Sequence, residues 1–184
     1  MDHDTYCYNI MSVYRRATAD EIAGGMDWYE RANALALELS PGDAWRGAGV
    51  LAAFSPMRQW PVNVKHARDC FATGTASGHT GTMNRIAQRI YDGEHALDVL
   101  NGDKTRAFCA AIADPFGSTI ATIDRHAHDV AAGRVFSDSE RKIGKRVFRA
   151  MSAAYVECAD YLGVSVAQVQ AITWVVWRRE KGLT

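Results

Sequence analysis

The sequence predicts an all-α fold, a compact multi-helix domain. Three observations carry that prediction. Apolar residues recur at helical spacing in one segment after another, runs that alternate apolar and polar residues are nearly absent, and four prolines interrupt the 184 residues. The capping residues that open and close helices recur along the chain as well.

Composition bounds the rest. Apolar residues make up 48%, enough for one substantial core. The length fits a single domain, 1–184, with no repeat and no linker-like run of Pro and Ser. Basic and acidic residues number 21 each, so the formal net charge is zero. Binding of a polyanion by bulk charge is thereby excluded, while a local basic face is not. No stretch reaches the roughly 18–20 uncharged apolar residues of a membrane span. The opening Met1-Asp2-His3-Asp4 is acidic and polar, unlike a secretory signal, so a cytoplasmic location is expected. Cys7, Cys70, Cys109 and Cys158 lie far apart, with no C-x-x-C pair. Their spacing calls for no metal and no iron–sulfur cluster, and they read as buried or half-buried thiols.

Thr18-Ala19-Asp20-Glu21 has the spacing of a capping box and opens a helix through Leu39. Trp28, Ala32, Leu35 and Leu39 fall on one stripe of it, and Gly24-Gly25 weakens its first turns. Ser40-Pro41 supplies an N-cap and a first-position proline. Gly47 to Phe54 is apolar all round, which suits a buried central helix. Ser55-Pro56 ends it, and Trp60-Pro61 starts a helix to about Thr73. Gly74 to Gly81 is a loop, followed by a helix from Thr82 to Tyr91. Residues 94–112 form two short helices, Glu94 to Leu100 and Lys104 to Ile112, around a tight turn at Asn101-Gly102-Asp103. Asp114-Pro115-Phe116-Gly117 is a loop, and Ile123 to Ala132 a helix. Ser137-Asp138-Ser139-Glu140 caps a long helix to Leu162, with Ile143, Val147, Met151, Ala154, Tyr155 and Cys158 inward. Gly163 ends it, and Ser165 caps a last helix to about Arg179.

The chemistry lies in two runs, Asp98 to Phe108 and Ala121 to Ala127. A glycine-bearing turn before a helix exposes backbone N–H groups at the positive end of the helix dipole, a spot suited to phosphate. Lys104 stands at that helix start, and Asp124 follows twenty residues on. A lysine and a carboxylate on adjoining elements can flank one reacting centre.

Gly102-Asp103-Lys104-Thr105 and Ile123-Asp124-Arg125-His126-Ala127 resemble, in order and separation, two runs of the helix-hairpin-helix DNA glycosylase superfamily, which includes endonuclease III and the oxoguanine glycosylases. A weaker similarity lies upstream, in Leu51-Ala52-Ala53-Phe54-Ser55-Pro56 followed by Asn63 and Ala67. The resemblance covers roughly residues 45–135. It implies that 94–112 is the helix-hairpin-helix unit, that Asp124 is the catalytic aspartate and that Lys104 is the Schiff-base lysine. It also implies that Asn101, Gly102, Asp103, Thr105 and Arg106 contact DNA. Met57, Arg58, Gln59, Trp60 and His126 would form the base pocket or the wedge that fills the vacated space. The hairpin keeps one glycine where the family usually has two, the endonuclease III cysteine cluster is absent, and Gln170 to Trp174 match no family motif.

Each residue also has a plainer role. Asp124 can be a helix N-cap, which is compatible with catalysis, and Lys104 a solvated first-turn lysine. His126 and His128, two apart, fall on different helix faces, unsuited to a shared metal. His66, His79 and His95 are scattered and receive no role. Trp174, Trp177 and Tyr161 read as helix packing, and so do Trp45 and Phe54. Arg85, Arg89 and Arg106 form either a basic face or ordinary solvated charge. Three functions are compatible with these motifs. The first is a base-flipping glycosylase that uses Asp124 and Lys104 and needs no cofactor. The second is a divergent phage-type enzyme of thymine hypermodification, which couples a small amine or amino acid to pyrophosphorylated hydroxymethyluracil in DNA. The third is a non-catalytic DNA-binding module.

Overall fold

The computed structural model of the chain describes residues 2–182. Among these, ten α-helices and no strand are present. The all-α prediction therefore holds, and most predicted elements fall within a few residues of their expected bounds.

Helix α1 (His3–Tyr14) is not among the predicted elements. Its signals are present: Asp2 caps it by accepting from Thr5 N at 2.9 Å, and Tyr6, Ile10 and Val13 line its buried face. Helix α2 (Ala19–Leu39) opens with the expected reciprocal capping box. Thr18 N donates to Glu21 Oε2 at 2.9 Å, and Glu21 N donates to Thr18 Oγ1 at 3.3 Å. Its buried stripe differs from the predicted one. Gly25, Tyr29, Ala32 and Ala36 are buried, whereas Trp28, Leu35 and Leu39 are half-buried. Gly25 explains the rotation, because a Cβ there would sit 2.8 Å from Ile172 Cα. The glycine permits a close helix approach, and the interface follows it.

Ser40-Pro41 does not start α3 (Ala44–Phe54). Ser40 N still bonds Ala36 O at 3.0 Å, and Gly42 adopts φ +80°, which no helix can contain. Asp43 caps α3 instead, accepting from Arg46 N at 3.0 Å. Gly47 to Phe54 are buried as predicted. Helices α4 (Trp60–Thr73) and α5 (Gly81–Tyr91) follow, then α6 (Ala96–Val99) and α7 (Asp103–Ala113). Helix α8 (Arg125–Ala132) begins two residues later than expected, because Asp124 is its cap.

The Ser137 box forms, with Glu140 N on Ser137 Oγ at 3.4 Å and Ser137 N on Glu140 Oε2 at 2.9 Å, but it closes a turn rather than a helix. Helix α9 (Lys145–Leu162) starts only after Gly144. The cause is the Arg141 fork, which donates to buried Asp129 at 2.9 and 3.2 Å and draws the segment away from helical geometry. Ile143 and Val147 are accordingly half-buried, while Met151, Ala154, Tyr155 and Cys158 are buried. Tyr161, expected to pack, is 76% exposed. Gly163 and the Ser165 capping box separate α9 from α10 (Val166–Glu180).

The helices group into two compact units. One holds the chain up to Tyr29 and from Pro115 onward, where α1, α8, α9 and α10 pack around Ile10, Val130, Tyr155, Val169 and Ile172. The other is Glu30–Asp114, where α3 is surrounded by α4, α5, α6 and α7, with Leu51, Phe54, Ile90 and Ile112 buried. The sequence carries no linker at either crossing. Helix α2 runs through one, and the Asp114-Pro115 loop forms the other. Among the described residues no helix is long and apolar enough to cross a membrane.

Candidate functional site

Asp124 belongs to the first unit. Its extended backbone places the carboxylate at the start of α8. Oδ1 accepts from His126 N at 2.9 Å and from Ala127 N at 2.8 Å, while Oδ2 accepts from the Trp174 indole at 3.2 Å. The carboxylate is half-buried and held by three donors, so it has little freedom to turn. The N-cap role is real, and the residue is part-exposed to solvent.

Cationic and aromatic groups surround it. The Arg178 guanidinium lies 4.3 Å from the Trp174 ring centroid, and buried His126 meets the same indole edge-on at 5.9 Å. Arg125 Nε donates to His126 Nε2 at 3.2 Å. A guanidinium only donates, so this nitrogen holds a lone pair and His126 is neutral. Burial pushes the imidazole below its ordinary value; Asp124 opposes that shift, and Arg125 and Arg178 add to it. His128 faces elsewhere, with Nδ1 3.0 Å from Asp129 and its ring against Phe136. Beneath the site, buried Tyr29 donates to Gln170 Oε1 at 2.9 Å and lies 3.4 Å from Thr122 Oγ1. Its phenol is driven upward, mainly by burial.

Lys104 belongs to the second unit. Leu100, Asn101 and Gly102 join α6 to α7, and Gly102, at φ +86°, is the N-cap residue. That left-handed backbone is why glycine stands there. No side chain caps α7, and Asn101, Gly102, Asp103 and Lys104 are exposed, with Thr105 half-buried. The Arg106 guanidinium donates to Leu97 O and so staples α6 to α7. Arg89 pairs with Glu94 at 2.5 Å, which offsets one charge of the proposed basic face, and Arg85 is exposed.

In the same unit Met57, Arg58 and Gln59 are exposed on the loop before α4. Met57 is 95% exposed and has φ +59°, an uncommon conformation for a non-glycine residue. Half-buried Trp60 meets Phe108 edge-on at 6.3 Å. Phe54 is fully buried, and Trp45 lies 5.6 Å from the His95 ring.

Two groupings were not expected from the sequence. Trp174 was assigned to packing, yet its indole holds Asp124; no local motif could announce this, because fifty residues separate the two. The second pairs His66 with His79, and Asn63 lies one turn before His66 on α4. Asn63 is 1% exposed, its Oδ1 meets no donor, and Nδ1 of each histidine is likewise buried without a partner. The two rings lie 6.3 Å apart, and His66 lies 5.5 Å from Phe54. Burial and nearby Arg58 and His66 push His79 below its ordinary value.

The fold and these residues define an all-helical protein with a triply held aspartate in one unit and a glycine turn in the other. The chain belongs to a family whose model matches residues 1–181 and is described as "Family of unknown function (DUF7178)". No curated protein and no solved structure matches it.

Proposed function

We propose that this chain acts on a base in DNA in the manner of the helix-hairpin-helix DNA glycosylases that its motifs resemble. Asp124 carries the reading. A part-exposed carboxylate fixed by two backbone amides and an indole is oriented before any substrate arrives. Such a group stabilises the positive charge that develops on a sugar as its glycosidic bond lengthens. The α6–α7 turn supports the same reading, as an uncapped helix start with exposed backbone suits a phosphate.

In this mechanism the turn, read as the hairpin, grips the DNA backbone and the target nucleotide leaves the stack. Met57, Arg58 and Gln59 are the exposed side chains offered to the vacated space, beside Trp60. The base departs with the bonding electron pair and takes up a proton. Lys104 gives its ammonium proton to solvent; its nitrogen then forms the new bond to the anomeric carbon and loses a second proton. Ring opening gives an imine, from which strand cleavage follows by elimination.

The test is incubation with DNA carrying a panel of damaged and modified bases, read by mass spectrometry and by borohydride trapping. Base loss together with a trapped protein–DNA adduct is expected. Asp124→Asn should abolish both, and Lys104→Gln should abolish the adduct. No product on any substrate would overturn the proposal. A gain of mass on hydroxymethyluracil-derived DNA, given an amine or amino acid, would replace it with a transferase.

A further inference from the structure

We propose that His3, Cys7 and Glu157 form a binding site for a divalent transition-metal ion, zinc(II) in the first place. Nothing in the glycosylase reading uses these residues, and the site stands apart from Asp124 in the same unit.

His3 and Cys7 are four residues apart on α1 and therefore share a face. Helix α9 packs against α1 and brings Glu157 to that face from 154 residues away in the chain. Their donor atoms all lie within 4.8 Å of one another. His3 Nε2 is 2.7 Å from Glu157 Oε2 and 3.5 Å from Cys7 Sγ. Without an ion the His3 ring N–H serves Glu157 and the Cys7 thiol donates to Ala154 O at 3.8 Å. A cation exchanges those contacts for three ligand bonds, from the Nε2 lone pair, the thiolate and the carboxylate that already converge on one point.

The distances favour a tetrahedral ion. With zinc bonds of about 2.3 Å to sulfur and about 2.0–2.1 Å to nitrogen, sulfur and nitrogen stand roughly 3.6 Å apart, close to the spacing found. Nitrogen and oxygen would stand about 3.4 Å apart against the 2.7 Å found, so the glutamate must withdraw by roughly 0.7 Å. Its side chain is 66% exposed and free to do so. A donor set of one imidazole, one thiolate and one carboxylate suits zinc, whereas calcium and magnesium require oxygen ligands. The Cys7 thiol gives its proton to solvent on binding. His3, at 41% exposure, and Glu157 leave a path for entry and a fourth position for water. Buried Cys158 donates to Cys7 O at 3.7 Å and steadies the thiol-bearing turn from behind. The bound ion would clip α1 to α9, closing a loop of nearly the whole chain.

The experiment uses the full chain, metal-free and without an affinity tag, titrated with cobalt(II) and then zinc(II). One cobalt(II) per chain is expected, with a sulfur-to-cobalt charge-transfer band that zinc(II) abolishes. Cys7→Ser should remove the band. Glu157→Gln and His3→Ala should each weaken zinc binding by at least the roughly 10–100-fold that loss of even an outer-shell partner costs. Glu157 is a surface residue, so a folded Glu157→Gln variant is assured, and circular dichroism confirms it for all three. A folded protein with no charge-transfer band, a band that survives Cys7→Ser, or zinc affinity unchanged in Glu157→Gln would each overturn the proposal.

Discussion

Asp124 is a structural cap, and the chemical role proposed for it separates from capping by substitution. Asparagine keeps an oxygen for the amides of His126 and Ala127, but its amide nitrogen then faces the Trp174 N–H, donor against donor. Asp124→Asn should therefore cost about 1 kcal/mol, one ordinary hydrogen bond. Asp124→Ala loses the cap as well and should cost about 0.5–2 kcal/mol on that account alone. Both should be inactive if the negative charge does the chemistry. Full activity in the folded Asn variant would reduce Asp124 to a cap. His126 gives a second prediction. Burial lowers its pKa below the ordinary 6.5, so as pH falls through that value the unfolded chain takes up a proton that the folded chain refuses. The neutral histidine's contribution is complete above about pH 6.5 and is lost progressively below it. His79 is shifted in the same direction, so the wild type should be compared with His126→Gln. Urea unfolding across this range should show a shallower pH dependence in the variant; equal slopes would count against a buried neutral imidazole. Asp124 was legible in the sequence because a cap and a catalytic aspartate use the same local signature. Trp174 was not, because an indole on a helix looks alike whether it packs or holds a carboxylate.

At the scale of elements, legibility followed locality. Helices α4 and α10 were readable because their caps, prolines and apolar runs lie within or beside them, and α3 through its apolar run alone, since Asp43 rather than Ser40-Pro41 starts it. The start of α9 was not, because it depends on Asp129, a buried carboxylate twelve residues before Arg141. Asp129 accepts both arms of the Arg141 fork and the Phe136 amide at 3.3 Å, so one acid organises the whole stretch between α8 and α9. Arg141 is itself only 9% exposed. Removing the acid leaves the nearly buried guanidinium with Asp138, at 2.6 Å, and Phe136 O as partners, and Asp129→Ala should lower the unfolding free energy by about 1–3 kcal/mol. Replacing Arg141 and Asp129 together by apolar residues of similar size should recover much of that loss. A single Asp129→Ala substitution that leaves the denaturation midpoint within experimental error would show that the pair contributes nothing to the loop. The rotated stripe of α2 has the same kind of cause. Its burial follows the partner helix admitted by Gly25, and a glycine read along the chain looks like a weak turn rather than a contact.

For the whole molecule the decisive quantity is charge. With 21 basic and 21 acidic residues there is no general attraction to DNA, so any affinity must come from a few placed cations. Several are already engaged: Arg89 with Glu94, Arg141 with Asp129, Arg16 with Glu180. We expect two or three phosphate contacts in the proposed complex, drawn from exposed basic residues such as Arg58, Arg85 or Arg125. Each neutralised phosphate releases counterions and contributes about −0.9 to the slope of log affinity on log salt. Two or three contacts give a slope of about −1.8 to −2.7, so raising salt from about 50 to about 200 mM should weaken binding only about 10- to 40-fold. A protein with six to ten contacts would lose roughly 10³–10⁵ over the same range. If the chain is a DNA-binding module alone, Lys104→Gln should make the slope shallower by about one unit; in either reading stability should stay within about 0.5 kcal/mol, since the residue is exposed. Fluorescence anisotropy on a short duplex at four or five salt concentrations measures both slopes. A steep wild-type slope would reveal a wider basic surface, and a slope unchanged by Lys104→Gln would remove Lys104 from the phosphate contacts and with it the binding-module reading.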